Sequence, residues 1–359
     1  MGGMTNYFIR RILLTIPTFL GITIVYFFIL QIVPGGPLEQ EIMKLRMGSA
    51  AFSGVGASAT GGTIEAGAGT ATEASQVTIP VEAMEEMKRF YGMDKPIPVR
   101  YGLWLWNVMH LDFGRSYVYA EPVWTVIKAR FPISVYFGII GFILSYLICV
   151  PLGVAKAVKH GTPFDFISST IVFIGYSIPG WALGAVLLVL LGGGSFWNVF
   201  PLGEFRSENW MELTAWGKIE DQLYHTVLPV IAYMIGSFAT LTVVMKNSLM
   251  ENLGQDYVRT AFAKGIPERR VIFVHAMRNS LIPIATGIGG LLGIFFAGSY
   301  LIEKTFNING MGLLGFESVL KRDYPVTLGF LVVGTLIRLF GNIISDICYA
   351  VIDPRIRFK

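Results

Sequence analysis

Long stretches without a formal charge dominate this chain. Windows 12–33, 133–155, 166–200, 225–245 and 279–302 each lack Asp, Glu, Lys and Arg, and window 324–351 is interrupted only by Arg338 and Asp346. About 20 consecutive apolar residues are enough to cross a bilayer as a helix. The pattern therefore predicts six membrane helices, with 166–200 long enough for one span plus a tail. Pro151, Pro179, Pro229 and Pro283 fall inside these windows, and Gly175, Gly180 and Gly184 surround the second of them. Membrane helices hold such residues where neighbours satisfy the freed backbone groups. Interrupted helices often line transport paths, but inert bundles are kinked as well.

Composition agrees with the pattern. Of the 359 residues, 53% are hydrophobic and only 14% charged, with a mean hydropathy of +0.59. An ordinary soluble domain carries about 25% charged residues. These values exclude a disordered chain, a solvated enzyme surface and most nucleic-acid binders. Cys149 and Cys348 lie in apolar stretches and form neither a disulfide framework nor a metal-ligand spacing. Window 12–33 begins after Arg10-Arg11, as a secretory signal would, but it exceeds the 7–15 apolar residues of a signal core. It runs into Pro34-Gly35-Gly36-Pro37 and is expected to stay as a span.

The net charge of +4 is small, so its distribution carries the information. With the N-terminus on the cytoplasmic side, the inner segments 1–11, 156–165, 246–280 and 352–359 hold 13 basic residues in 64 positions. The outer segments 34–131, 192–224 and 303–325 hold 14 in 154, and 192–224 also carries five acids. The asymmetry favours both termini inside, although the long first loop counts for little because long loops translocate largely regardless of charge. Within that loop, 48–80 has seven glycines by position 70 and no Lys or Arg, the composition of a flexible insertion. A short amphipathic helix is expected over 81–91. Trp104, Trp106 and Trp124 suit an interfacial belt or, equally, the packing of the loop itself.

The inner segment 246–280 reads as two short helices. Tyr257, Val258, Ala261, Phe262 and Gly265 form one stripe at helical spacing. Asp256 stands where the macrodipole favours an acid, Gly265 suits a helix stop, and Pro267 with Glu268 suits a new first turn. Small residues at 261, 263 and 265 would let another surface approach the backbone. The stripe fits either a helix docked in a partner's groove or one lying on anionic headgroups. Arg338 is the most costly residue, since a charge near the bilayer centre costs about 2.5–3.5 kcal/mol on insertion scales. It is expected to face a partner, the bundle interior or a water-filled path. Asp346 lies nearer the inner interface, where a structural role is expected.

No H-E-x-x-H, G-x-S-x-G or G-x-x-x-x-G-K-[ST] occurs, and His110, His160, His225 and His275 are scattered. Active transport would need an ion gradient or another chain. Two intramembrane charges are thin equipment for an ion-coupled carrier, which remains one alternative; a membrane scaffold without a pore is the other.

The segment Asp256-Tyr257-Val258-Arg259-Thr260-Ala261-Phe262-Ala263-Lys264-Gly265 resembles the coupling segment of bacterial ABC-type oligopeptide import permeases. Arg278-Asn279-Ser280-Leu281-Ile282-Pro283 is similar to that family's entry into its fifth span. Arg10-Arg11-Ile12-Leu13-Leu14 with Val33-Pro34-Gly35 resembles its first. Asp112-Phe113-Gly114-Arg115-Ser116, Ile302-Glu303 with Phe306, Gly310, Gly312 and Leu314, Arg322-Asp323-Tyr324-Pro325-Val326 and Asp353-Pro354-Arg355 match further signatures in order. The long first loop and Gly193-Gly194-Ser195 look closest to its Yej-type branch, which serves microcin C and oligopeptides. The general ABC permease motif has Glu-Ala-Ala six residues before the glycine; here Arg259-Thr260-Ala261 stand there, so no acid at 259 meets the partner.

The resemblance implies an all-α polytopic membrane protein of about six transmembrane helices with the type I ABC importer permease fold. Residues 1–33 would hold the first span, 34–131 a periplasmic insertion, 132–351 the core with coupling loop 246–280, and 352–359 a cytoplasmic tail. The implied partners in the bacterial inner membrane are a second permease subunit, ATP-binding subunits and a periplasmic solute-binding protein, with no nucleic acid. No cofactor is expected in this chain, because ATP and Mg²⁺ would sit on the partner ATPase. Tyr257, Ala261, Lys264, Gly265 and Ile266 are the expected coupling contacts, and Arg338 is a candidate for the translocation path.

Overall fold

The computed structural model describes residues 2–32, 85, 94–194, 196–286 and 298–352. The Gly-rich stretch 48–80 and all of the helix expected at 81–91 but its residue 85 lie outside the described residues, as do residues 287–297 of the window 279–302. Regular structure among the described residues is helical, apart from two isolated bridges, Arg115 with Pro122 and Gly192 with Phe200.

In chain order the helices are α1 (Gly2–Ile32), α2 (Ile97–Met109), α3 (Val123–Val158), α4 (Pro163–Ser177), α5 (Gly180–Leu191), α6 (Ala215–Leu253), α7 (Asp256–Ala263) and α8 (Glu268–Arg270). A π-helical turn, Val271–Ala276, leads to α9 (Met277–Ser280), α10 (Ile282–Thr286), α11 (Tyr300–Thr305), α12 (Met311–Leu320) and α13 (Tyr324–Ile352). Four of these, α1, α3, α6 and α13, are long and apolar enough to cross a membrane. The window 166–200 is not one straight span: α4 and α5 meet at 93° and make at most a fifth, broken one.

Pro179 accounts for that break. A proline disfavours helical backbone in the residue before it, and Ile178 is extended at φ −98°, ψ 120°. Proline also lacks the N–H that would continue the ladder. Pro151 and Pro229, by contrast, sit inside unbroken α3 and α6. What differs at the break is packing. A Cβ at Gly180 would overlap the carbonyl oxygen of Ala232, and one at Gly184 would come within 2.8 Å of the Phe306 ring. The turned helix α5 is therefore pressed onto α6 through residues without side chains, the small-residue contact by which membrane helices approach closely.

The chain divides into two compact units. The larger takes in Met1–Leu20, Ile127–Glu317 and Phe330–Lys359. Among its described residues, one apolar core lies around Phe137, Leu228, Ala232 and Phe306 and another around Val154, Met245, Leu249 and Val258. The smaller takes in Gly21–Val126 and Ser318–Gly329. There the Trp104 ring packs at 5.5 Å from Phe27 and Trp124 stacks on Phe113 at 5.9 Å, so these two tryptophans pack the unit. Trp106 stays 59% exposed, its ring 4.7 Å from that of His110. Two signature segments meet in this unit. Ser116 donates to Asp323 at 2.5 Å, and the Tyr117 and Val118 amides donate to the same buried carboxylate.

Gly180→Leu should lower the stability of the detergent-purified protein by about 2–3 kcal/mol, because a backbone oxygen cannot yield to the new side chain. Gly236→Ala, where no atom stands within 4 Å, should leave it unchanged or raised. Thermal unfolding followed by circular dichroism distinguishes the two.

Candidate coupling site

Helix α7 forms where the sequence places it. Asp256 opens its first turn, and the backbone turns out of the helix at Gly265, whose φ is +72°. Only glycine adopts that conformation without strain. The Gly265 amide donates to the Phe262 carbonyl at 2.9 Å and that of Ile266 to Ala261 at 3.3 Å, closing the helix end. Pro267 then caps α8.

The stripe read from the sequence divides into two faces. Val258 and Ala261 point inward and are buried among Val154, Ala157, Met245, Leu249, Val271 and Ala276. Ile266 is half-buried against the same cluster. Ala261 is thus an internal packing residue: its methyl is covered by the chain's own helices and is not presented to a neighbour. Tyr257, Phe262, Lys264 and Gly265 are exposed. The Tyr257 hydroxyl donates to Asn252 at 2.8 Å and accepts from Asn279 at 3.1 Å, linking α6, α7 and α9. Arg259, where the general motif has an acid, lies 3.7 Å from Asp256 in an exposed pair. Such pairs add little stability.

Beside the Val258 cluster lies a charged group that the sequence reading passed over. Lys156, counted there as an inner-loop cation, belongs to α3 and is almost fully buried. Its ammonium donates to the hydroxyls of Ser168 and Ser169 at 2.9 and 2.7 Å and to the Asp165 carbonyl at 3.1 Å. The Asp165 carboxylate lies 3.3 Å from Lys156 and receives both of its short bonds, at 2.7 Å, from Lys246 of α6. His160 Nδ1, at 3.1 Å, and the Gly161 amide complete the shell. One carboxylate thereby holds the neighbouring ends of α3, α4 and α6. Its only signal in the sequence was an acid two residues after Pro163, a helix-start pattern that says nothing of its partners.

A second buried carboxylate, Glu303, ties α11 to three other helices. Ser134 of α3 donates to it at 3.2 Å, Tyr233 of α6 at 3.4 Å, and the Leu313 amide in the first turn of α12 at 2.6 Å. A Cβ at Gly310 would strike this carboxylate, which gives a steric reason for the Glu303 and Gly310 spacing in the signature.

The two charges expected within the last span behave differently. Asp346 pairs with Arg11 of α1 at 3.0 Å, a structural contact between the first and last helices. Arg338 is exposed on α13 and makes no hydrogen bond or ion pair among the described residues. Three or more His, Cys, Asp or Glu side chains that could hold a metal ion are found nowhere among the described residues.

Removing the charge at Asp165 leaves the buried Lys156 ammonium and the half-buried one of Lys246 without a counter-ion. Breaking a buried pair from one side costs about 3–5 kcal/mol. Asp165→Asn should therefore reduce thermal stability far more than Lys159→Ala, a substitution outside the Asp165 hydrogen-bond shell; equal melting temperatures would refute the pairing.

Comparison with known proteins agrees with this architecture. Residues 149–358 match the family model described as "Binding-protein-dependent transport system inner membrane component". The inner membrane ABC transporter permease protein YejB of Escherichia coli O157:H7 is 41% identical over 99% of this chain and 100% of its own length. The peptidoglycan transport system permease protein YejB of Agrobacterium fabrum is 39% identical over 99% of both chains. The oligopeptide transport system permease protein AppB of Bacillus subtilis is 33% identical over 99% of this chain and 100% of its own. A multi-pass helical membrane protein with this match over most of its core belongs to the binding-protein-dependent transport system inner membrane components, the permease subunits of ABC importers.

Proposed function

We propose that this chain is one of two permease subunits of an ATP-driven importer of oligopeptides or peptide-like solutes, and that α7 is where the force of ATP hydrolysis enters it. The observation that carries this reading is the two-faced α7. Its inner face is anchored in the core while Tyr257, Phe262, Lys264 and Gly265 are left exposed. A helix so anchored moves its own core when a partner moves it. The relatives' names, which specify oligopeptide, dipeptide and peptidoglycan transport, support a peptide-like solute. ATP and Mg²⁺ are assigned to the partner ATPase, and a solute-binding protein to the opposite face of the membrane. The basic-residue asymmetry supports both termini inside. Ile266 contributes through packing beneath the contact, and Ala261 is withdrawn from it.

Gly265→Trp should uncouple uptake from ATP hydrolysis in the reconstituted complex while the chain still inserts and assembles. Gly265→Asn tolerates the left-handed backbone and should retain most activity. Phe262→Ala, which removes an exposed aromatic anchor, should lower ATP-dependent uptake about tenfold or more. Full uptake by both Gly265→Trp and Phe262→Ala would overturn the coupling assignment.

Arg338 is proposed to border the translocation path or the second permease subunit, on the ground that an exposed intramembrane cation without a partner needs water or another chain. Arg338→Leu should change the uptake rate without preventing assembly; unchanged uptake in an assembled complex would remove Arg338 from the path.

A further inference from the structure

Between α3, α6 and α10 lies a cavity of about 350 Å³. Such a volume is at the lower end of small-ligand pockets and suits one side chain with part of its backbone, not a whole oligopeptide. Its walls are Phe137, Phe142 and Tyr146 of α3, Leu241 and Val244 of α6, and Ile284 of α10. The Phe142 and Tyr146 rings are 3.9 Å apart, and the Tyr146 hydroxyl is fixed by donating to the Ile284 carbonyl at 3.1 Å. This apolar floor is therefore held in place from two helices.

Hydroxyl groups gather at one side. Ser145, Ser237 and Thr240 line the cavity, with the two serine oxygens 3.5 Å apart. Ser237 and Thr240 are exposed near the middle of the apolar window 225–245. The Thr240 hydroxyl has no hydrogen-bond partner among the described residues. Polar groups at that depth face a water-filled path or another protein surface more readily than lipid. No Asp, Glu, Lys or Arg among the described residues lines the space, so a charged group entering it would lose its water without gaining a counter-ion from them.

We infer that this cavity is a subsite on the translocation path that takes a bulky uncharged side chain of the passing peptide, aromatic or branched aliphatic, while Ser237 and Thr240 bond its backbone. The inference rests on the peptide-permease reading above and adds to it a chemical preference located in this chain. The hydroxyls replace water for the peptide's amides, and the ring-lined floor receives the apolar part. Gly138 and Gly141, which also line the space, leave room for it.

The test uses the complete complex in proteoliposomes: this chain, its partner permease, the ATPase and the binding protein, with labelled Ala-Phe-Ala and Ala-Ala-Ala as probes. Thr240→Phe places a ring in the mouth of the cavity. Each peptide is compared between wild type and variant, so the binding protein's own preference cancels. Uptake of Ala-Phe-Ala should fall about tenfold more than that of Ala-Ala-Ala, the scale of discrimination a hydrophobic pocket supplies. Ser237→Leu, an apolar change at an exposed position, should shift the ratio the same way if Thr240→Phe fails to assemble. Equal loss for both peptides, or no loss for either, overturns the subsite and points to lipid or the second permease subunit as the cavity's occupant. Failure of the wild-type complex to import either peptide would instead count against the proposed function.

Discussion

A lysine ammonium cannot remain buried at a helix junction without a counter-charge, and Asp165 is the group that allows the buried Lys156 and the half-buried Lys246 to be there. Lys246 gives it two short bonds, and Lys156 adds a longer contact while spending its remaining donors on Ser168, Ser169 and a carbonyl. Away from bulk water each of these bonds is stronger than on a surface, and each missing partner is more costly. The result is that the ends of α3, α4 and α6 are fixed to one another. Two of these helices, α3 and α6, together with the π-helical turn also supply the apolar cluster that buries Val258 and Ala261, so the charged junction and the seat of α7 share one platform.

The same solution recurs elsewhere. Glu303 gathers donors from α3, α6 and α12, and Asp323 gathers Ser116 and two backbone amides in the smaller unit. Each carboxylate faces hydroxyls and backbone N–H groups, which need no further partner once bonded. Three signature segments of the family are thus explained as halves of buried polar contacts. Their residues hold helices together, and the surfaces proposed for the transport role are ones they leave open: the outer face of α7 and the cavity between α3 and α6.

A permease must move as connected bodies if a push at one place is to open a path at another. Close helix contacts through Gly180 and Gly184, and through Gly153 against Met245, favour such bodies over a compliant bundle. The exposed face of α7 carries two aromatic rings, Tyr257 and Phe262, with the Lys264 cation at its end, groups well suited to a partner's contact. Family membership removes the two rival readings, the self-sufficient ion-coupled carrier and the scaffold.

The sequence by itself determined the membrane class, four of the spans, the stop at Gly265, the restart at Pro267 and the family. Each of these rests on local composition or on backbone preferences that a few adjacent residues impose. It also carried the break at Pro179 as a possibility, since a proline and three glycines were visible there. Only the tertiary structure decided that this proline divides two helices at 93° while Pro151 and Pro229 do not. The reason is that α5 has a glycine face to lay on α6, a fact about a distant surface. In the same way, Ala261 looked like a contact because a helical stripe does not say which of its edges has something beneath it. The pairs Lys246 with Asp165, Ser134 with Glu303 and Ser116 with Asp323 are separated by 81, 169 and 207 positions. No local pattern links residues so far apart; burial brings them together and then obliges them to bond.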